Sequence, residues 1–289
     1  CHHIAAAVFS NSLFKIVTQN MLGLSATMDR KDGLTHVFKK FIGDVCYKLE
    51  RNKDEDNVLV RVIQYDNDDS EYRNVIYNYK GHVHYSAMLS KICEYQPRSE
   101  MILKILKNEL EYHPKQQIMI LAHNKSILKY LYDNIVERNI ASVGYYIGGM
   151  KEKDLKETES KQVVIATYAM AEEALDIKSL SALILATSKK DVVQAVGRIL
   201  RTKHDNNVVY DIVDTHDLFQ KQYKHRRRYY TKCNYKILET DYENEYSRVK
   251  ENSINPLEKD DIWDTIFDPE NMKCAKRKKK QIEKLKKKD

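Results

Sequence analysis

Gln194, Arg198 and Arg201 recur at i, i+4 and i+7 in Gln194-Ala195-Val196-Gly197-Arg198-Ile199-Leu200-Arg201, so on a helix they share one face. Val192, Val193, Ala195, Val196, Ile199 and Leu200 fill the apolar remainder. Gly197 costs such a helix about 1 kcal/mol against alanine, and close approach of another backbone or a ligand would account for it. Two guanidiniums beside a glycine are shaped to clamp phosphate oxygens. An amphipathic surface helix with two solvated arginines is the plainer alternative. Other candidates stand where apolar runs stop. Thr167 closes the run Val163 to Thr167, so its hydroxyl can meet a phosphate of a bound strand. Gly148, Gly149 and Lys151 lie between an apolar run and a polar helix, whose free N-terminal amides attract phosphate. His123 and Asn124 follow the run Ile118 to Ala122; His123 is a candidate nucleic-acid contact, Asn124 a helix N-cap. Ser25-Ala26-Thr27 sits at the end of another short run, the edge where open α/β sheets place ligands.

Met21-Leu22-Gly23-Leu24-Ser25-Ala26-Thr27, Val163 to Thr167, Ala174-Leu175-Asp176-Ile177 and the arginine octet follow one another in that order. In this order they resemble the later motifs of superfamily 2 helicases. Leu24 to Leu34 resembles the third motif of the repair and recombination branch, and Ile118 to Asn124 and Val163 to Met170 resemble helicase-like proteins of large DNA viruses. The resemblance runs from residue 1 to about residue 240. It implies ATP held between two RecA-like lobes, with Mg²⁺ bound by two acids. Arg198 and Arg201 would contact phosphate beside Gln194 and Gly197, with Arg201 as the arginine finger. Asp176 would lie near the ribose or the attacking water, although Ala174 stands where the family commonly has glycine. Ser25 and Thr27 would couple ATP state to strand grip. Cys1-His2-His3 reads as the end of an Asp-Glu-Cys-His box, with His2 as the relay residue and the two acids missing.

Gly144 to Lys151 is a near miss to Gly-x-x-x-x-Gly-Lys-Ser/Thr, with Met150 at the lysine position and Lys151 at the hydroxyl position. The 289 residues hold no other match to that phosphate loop. With Cys1 as first residue, the expectation is a C-terminal part that is inactive alone and whose upstream portion is missing.

Composition narrows the classes. Of the residues, 42% are hydrophobic and 31% charged, enough for a sizeable core under a polar surface. No apolar run approaches the roughly 20 residues of a membrane span. Cys1, Cys46, Cys93, Cys233 and Cys274 show no Cys-x-x-Cys spacing, which fits a reducing intracellular setting, nuclear or cytoplasmic, and no metal site. The net charge is +7, and Lys276 to Asp289 alone holds nine bases and two acids, 9 − 2 = +7. The body is therefore near neutral, and its nucleic-acid chemistry must rest on local geometry.

Helical spacing is expected over Ile4 to Thr18 and Leu34 to Ile42, with short strands at Met21 to Ala26 and Asp44 to Glu50. Residues 1–50 would be the last pieces of a first RecA-like lobe. Residues 51–97 read as a connector with some structure of its own, including a strand at Val58 to Tyr65. Over 98–240, strands at 117–122, 141–147, 162–167, 182–186, 207–213 and 235–238 alternate with helices. Continuous apolar strands predict a parallel sheet covered on both faces, a second RecA-like lobe of α/β class. Residues 241–275 read as an acidic appendage and 276–289 as a disordered basic tail. His225-Arg226-Arg227-Arg228-Tyr229-Tyr230 suits either a strand-binding surface or a solvated helix face with tyrosines packed beneath it. The expected function is an ATP-dependent helicase or translocase on nucleic acid, DNA favoured. An RNA helicase and a non-catalytic nucleic-acid-binding module are the alternatives.

Overall fold

The computed structural model describes residues 11–16, 18–24, 35–47, 58–173, 177–199, 204 and 206–241. The chain divides into two compact units, residues 1–52 and 53–289. In the first, helix α1 (Thr35–Ile42) follows a single helical turn at residues 11–13. The Phe14 and Phe41 rings meet edge-on at 5.0 Å. The expected strand at Met21 to Ala26 is not formed over 21–24, where Leu22 and Leu24 are exposed; the rest of it lies outside the described residues. Residues 44–47 likewise form no strand. A short apolar run becomes a strand only where neighbours complete its hydrogen bonds, and periodicity cannot reveal that.

The second unit is built on seven parallel strands: β1 (Val58–Tyr65), β2 (Gln117–Ala122), β3 (Val143–Tyr146), β4 (Val163–Thr167), β5 (Leu180–Leu185), β6 (Asn207–Asp214) and β7 (Lys236–Asp241). Their order is β3-β4-β2-β5-β6-β1-β7. The connecting helices are α2 (Ser70–Arg73), α3 (Tyr85–Glu94), α4 (Gln96–Tyr112), α5 (Lys125–Glu137), α6 (Glu152–Glu159), α7 (Tyr168–Glu173), α8 (Val193–Ile199) and α9 (Asp217–Lys232). The stretch expected as a connector thus supplies β1, an inner strand between β6 and β7.

Strand alternation sorts the core into two layers. Ile118, Ile120, Ile184 and Ile212 face one way, onto α3, α4 and α5. Met119, Leu121, Leu183 and Val209 face the other, onto α7, α8 and α9. All six residues of β2 and of β5 are buried, as strands sandwiched between helices must be. The expected parallel sheet with helices on both faces is what forms.

Candidate functional site

Parallel pairing brings the C-terminal ends of the strands to one edge, where an open α/β sheet binds its ligands. Register pairs Ala122 with Thr167, Tyr146 with Ala166 and Leu121 with Leu185. His123, Thr167, Gly148 and the segment after β5 therefore meet at that edge. Gly148 and Gly149 are exposed, and a Cβ on Gly148 would lie 4.0 Å from Met170 Sδ in α7. Gly149 has φ +91°, the left-handed region where glycine is unstrained. Lys151 is exposed and takes the N-cap position of α6 without a side-chain cap bond.

Three residues missed at the sequence level complete this edge. The backbone N–H of His123 donates to Thr187 Oγ1 (3.1 Å), and its ring Nδ1 lies 2.9 Å from the same oxygen. The Tyr168 hydroxyl donates to the Thr187 carbonyl (2.6 Å), and its ring tilts against His123 at 4.7 Å. Lys189 Nζ sits 4.9 Å from the Tyr168 ring centroid and pairs with Glu172. Burial, and then the Lys189 ammonium, push the His123 imidazole down to about 4. The ring is therefore neutral near pH 7. If the Thr187 hydroxyl donates to Nδ1, the proton stays on Nε2, which can donate to a ligand. Only the position of Tyr168, directly after Thr167, hinted at this cluster in the sequence.

Helix α8 follows β5 and carries the first six residues of the arginine octet. Asp191 Oδ1 accepts from the Val193 N–H (3.2 Å), while Val192, Ala195 and Val196 anchor the buried side. Gln194 and Gly197 are half-buried. Apart from its chain neighbours and the helix's own backbone, no heavy atom among the described residues lies within 4 Å of where a Cβ on Gly197 would stand. Packing against these residues does not require that glycine. Arg198 belongs to the helix, but its side chain falls outside the described residues, as do Arg201, Asp176, Ser25, Thr27 and His2.

Two sequence readings change. Asn124 occupies the N-cap position of α5 without a side-chain cap bond; its amide donates instead to Ser90 Oγ in α3 (3.2 Å). Arg226, read as part of a charged and aromatic surface, is 1% exposed and forks onto Asp211 of β6 at 2.8 and 2.9 Å. Its remaining nitrogen donates to Ser188 Oγ (3.0 Å) and to the Lys189 carbonyl (2.7 Å), fastening the segment before α8 to the sheet. Tyr230 also donates to Asp211 (3.0 Å). Arg227 pairs with Glu239, leaving Arg228 exposed. Helical spacing shows which residues share a face, whereas a buried carboxylate on the preceding strand decides which arginine turns inward.

Among the described residues, no group of three or more His, Cys, Asp or Glu is placed to hold a metal ion, and no helix is long and apolar enough to cross a membrane. No family model matches the chain. A protein of Acanthamoeba polyphaga mimivirus named "Putative ATP-dependent RNA helicase" is 34% identical over 243 residues, covering 82% of this chain and 46% of the relative. A "Putative helicase" of Invertebrate iridescent virus 6 is 26% identical over 249 residues, 80% of this chain and 53% of its own length. The chain spans about half the length of these curated relatives. Among solved structures, S. cerevisiae Dbp5 bound to RNA and ADP BeF3 matches with a TM-score of 0.54 at 13% identity, over 85% of this chain and 58% of that one. By sequence the chain is a relative of helicase-named proteins of large DNA viruses, and its parallel sheet covered by helices has the RecA-like fold.

Proposed function

We propose that this chain is the part of an ATP-driven helicase or translocase that grips the strand and carries the arginine face. The observation that carries the reading is the gathering of Thr167, His123, Gly148 and Gly149 at one sheet edge, with α8 rising from the same edge. In the full-length protein, residues 98–240 and the strand before them would form the second lobe, and residues 1–50 would belong to the first. Thr167, Gly148, Gly149, Lys151 and His123 would hold the phosphates of the strand. Gln194, Gly197, Arg198, Arg201 and Asp176 would face ATP across the cleft. Ser25, Thr27 and His2 would relay its state. ATP supplies the driving hydrolysis, and Mg²⁺ would need acids from outside the described residues. These 289 residues expressed alone should release no phosphate from ATP, with or without nucleic acid.

The test is Arg201→Ala in the full-length protein. A finger acts on charge that develops in the transition state, so its loss depresses turnover more than ATP binding. The expected loss in kcat for strand-stimulated ATP hydrolysis is about 10²-fold or more, with strand binding in the absence of nucleotide nearly unchanged. Lysine at 201 keeps the charge but loses the planar fork and should rescue little. Gln194→Ala should be milder. A kcat within about twofold of the parent, together with collapsed strand affinity, would show that this face reads nucleic acid rather than ATP. DNA is the favoured track, whereas the mimivirus relative's name favours RNA. Stimulation of hydrolysis by matched single strands of each kind separates the two. No stimulation by either leaves the non-catalytic binding module.

A further inference from the structure

We propose that the hairpin over residues 76–84 is an additional site for single-stranded nucleic acid, one that takes bases by stacking. The inference rests on the nucleic-acid reading above. The hairpin is short and tightly held. Tyr77 bridges Val83, the Asn78 N–H donates to the His82 carbonyl (2.8 Å), and the His84 N–H donates to the Ile76 carbonyl (2.8 Å). Asn78 Oδ1 accepts from the N–H groups of Lys80 (2.9 Å) and His82 (3.1 Å), and Gly81 turns the chain at φ +74°. All this order presents two tyrosines to solvent. Tyr77 is 60% and Tyr79 92% exposed, so neither is spent on the core.

The chemistry of the segment matches a strand. Asn74 to His84 holds one lysine, two histidines and no acid. Lys80 Nζ lies 5.4 Å from the Tyr79 ring centroid, which places a cation beside an aromatic face. Of the preceding acids, Asp66 and Asp68 are tied to Arg73, Asp69 accepts from the Glu71 N–H and the Tyr95 hydroxyl, and Glu71 is exposed. Aromatic faces beside positive charge take successive bases without reading their identity. A rigid turn loses little freedom when it binds. Placement completes the argument. The hairpin runs directly into α3, whose Tyr85 hydroxyl donates to the Ser188 carbonyl (3.3 Å) and whose Ser90 accepts from Asn124. Both contacts lie at the edge that carries His123 and Thr187, so the helix that follows the hairpin is anchored to that edge.

Anisotropy titrations with a labelled oligothymidylate, and with an abasic strand of equal length, test the assignment on the whole chain. Tyr77→Ala with Tyr79→Ala should weaken oligothymidylate binding about tenfold or more, the scale of losing one or two base–aromatic stacks. Abasic binding should stay within about twofold of the parent, because it offers phosphates without bases. Tyr79→Trp in the single-alanine background should restore affinity. Equal losses on both strands, or no loss on oligothymidylate, overturn the hairpin site alone. Altered self-association in sedimentation with strand binding unchanged would assign the tyrosines to a protein contact and overturn it too. A parent chain that binds neither strand overturns the hairpin site together with the nucleic-acid reading.

Discussion

His123 stands one residue beyond β2, held by Thr187 and flanked by the Tyr168 ring and the Lys189 ammonium. Its imidazole falls to about 4, whereas the unfolded chain titrates near the ordinary histidine value of about 6.5. The unfolded state therefore takes up its proton first as the pH drops. Stability from the neutral ring is fully present above about 6.5 and is lost as the pH falls toward 4. Thermal midpoints compared at pH 7 and pH 5 should fall further in the parent than in His123→Gln, whose amide does not titrate there. Parallel decline in both proteins would mean that the ring takes up its proton at the same pH folded and unfolded, so that burial at this edge does not shift it. The position of His123 after an apolar run was legible in the sequence. Its partners were not, because Thr187 lies 64 residues away and meets it only through the register of β2 with β5.

At the scale of elements, periodicity served well wherever an element's length is set by its own burial. Val58–Tyr65 and Gln117–Ala122 form with the bounds that their apolar runs predict. Helices α3 and α7 were missed: the first lies in a tyrosine-rich stretch, and the second starts with no loop after β4. Missed as well were the two ion pairs that flank β6, Asp211 with Arg226 toward α9 and Asp214 with Arg98 toward α4, all four residues buried. Removing one partner strands a buried charge, so Arg226→Met should cost about 3–5 kcal/mol in denaturant unfolding. Adding Asp211→Leu should recover most of that loss, yet leave Ser188 and the Lys189 carbonyl without their donor. If the double replacement is no more stable than the single one, the pair is not what makes Arg226 necessary. Gly144 makes a similar point through contact. A Cβ there would stand 2.7 Å from Thr158 Oγ1 and 2.8 Å from Cγ2, so β3 and α6 pack only across a glycine. Gly144→Ala should destabilise by about 1–3 kcal/mol, and Thr158→Ala should relieve part of that in the same chain. Additive losses in the double variant would place the strain elsewhere.

Across the whole molecule, charge is distributed unlike the fold. The sheet edge gathers a neutral histidine, a threonine hydroxyl and two glycines; of its lysines, Lys189 is paired with Glu172 and Lys151 is exposed. Such an edge positions phosphates through hydrogen bonds rather than through bulk attraction. The nine bases from Lys276 onward lie outside the described residues and, less the two acids among them, equal the net charge of +7. Counterion release depends on how many phosphates are neutralised, and each contributes about 0.7–0.9 to the slope of log affinity against log salt. The two sources of affinity should therefore separate on a salt titration. Deleting Lys276 to Asp289 should flatten the slope by several units while leaving a salt-insensitive remainder that His123 and Thr167 variants reduce. The measurement is strand affinity by anisotropy over a salt series, for the parent and the deletion. An unchanged slope would mean that the body carries the electrostatic grip, and the near-neutral edge would then be the wrong place to look for it.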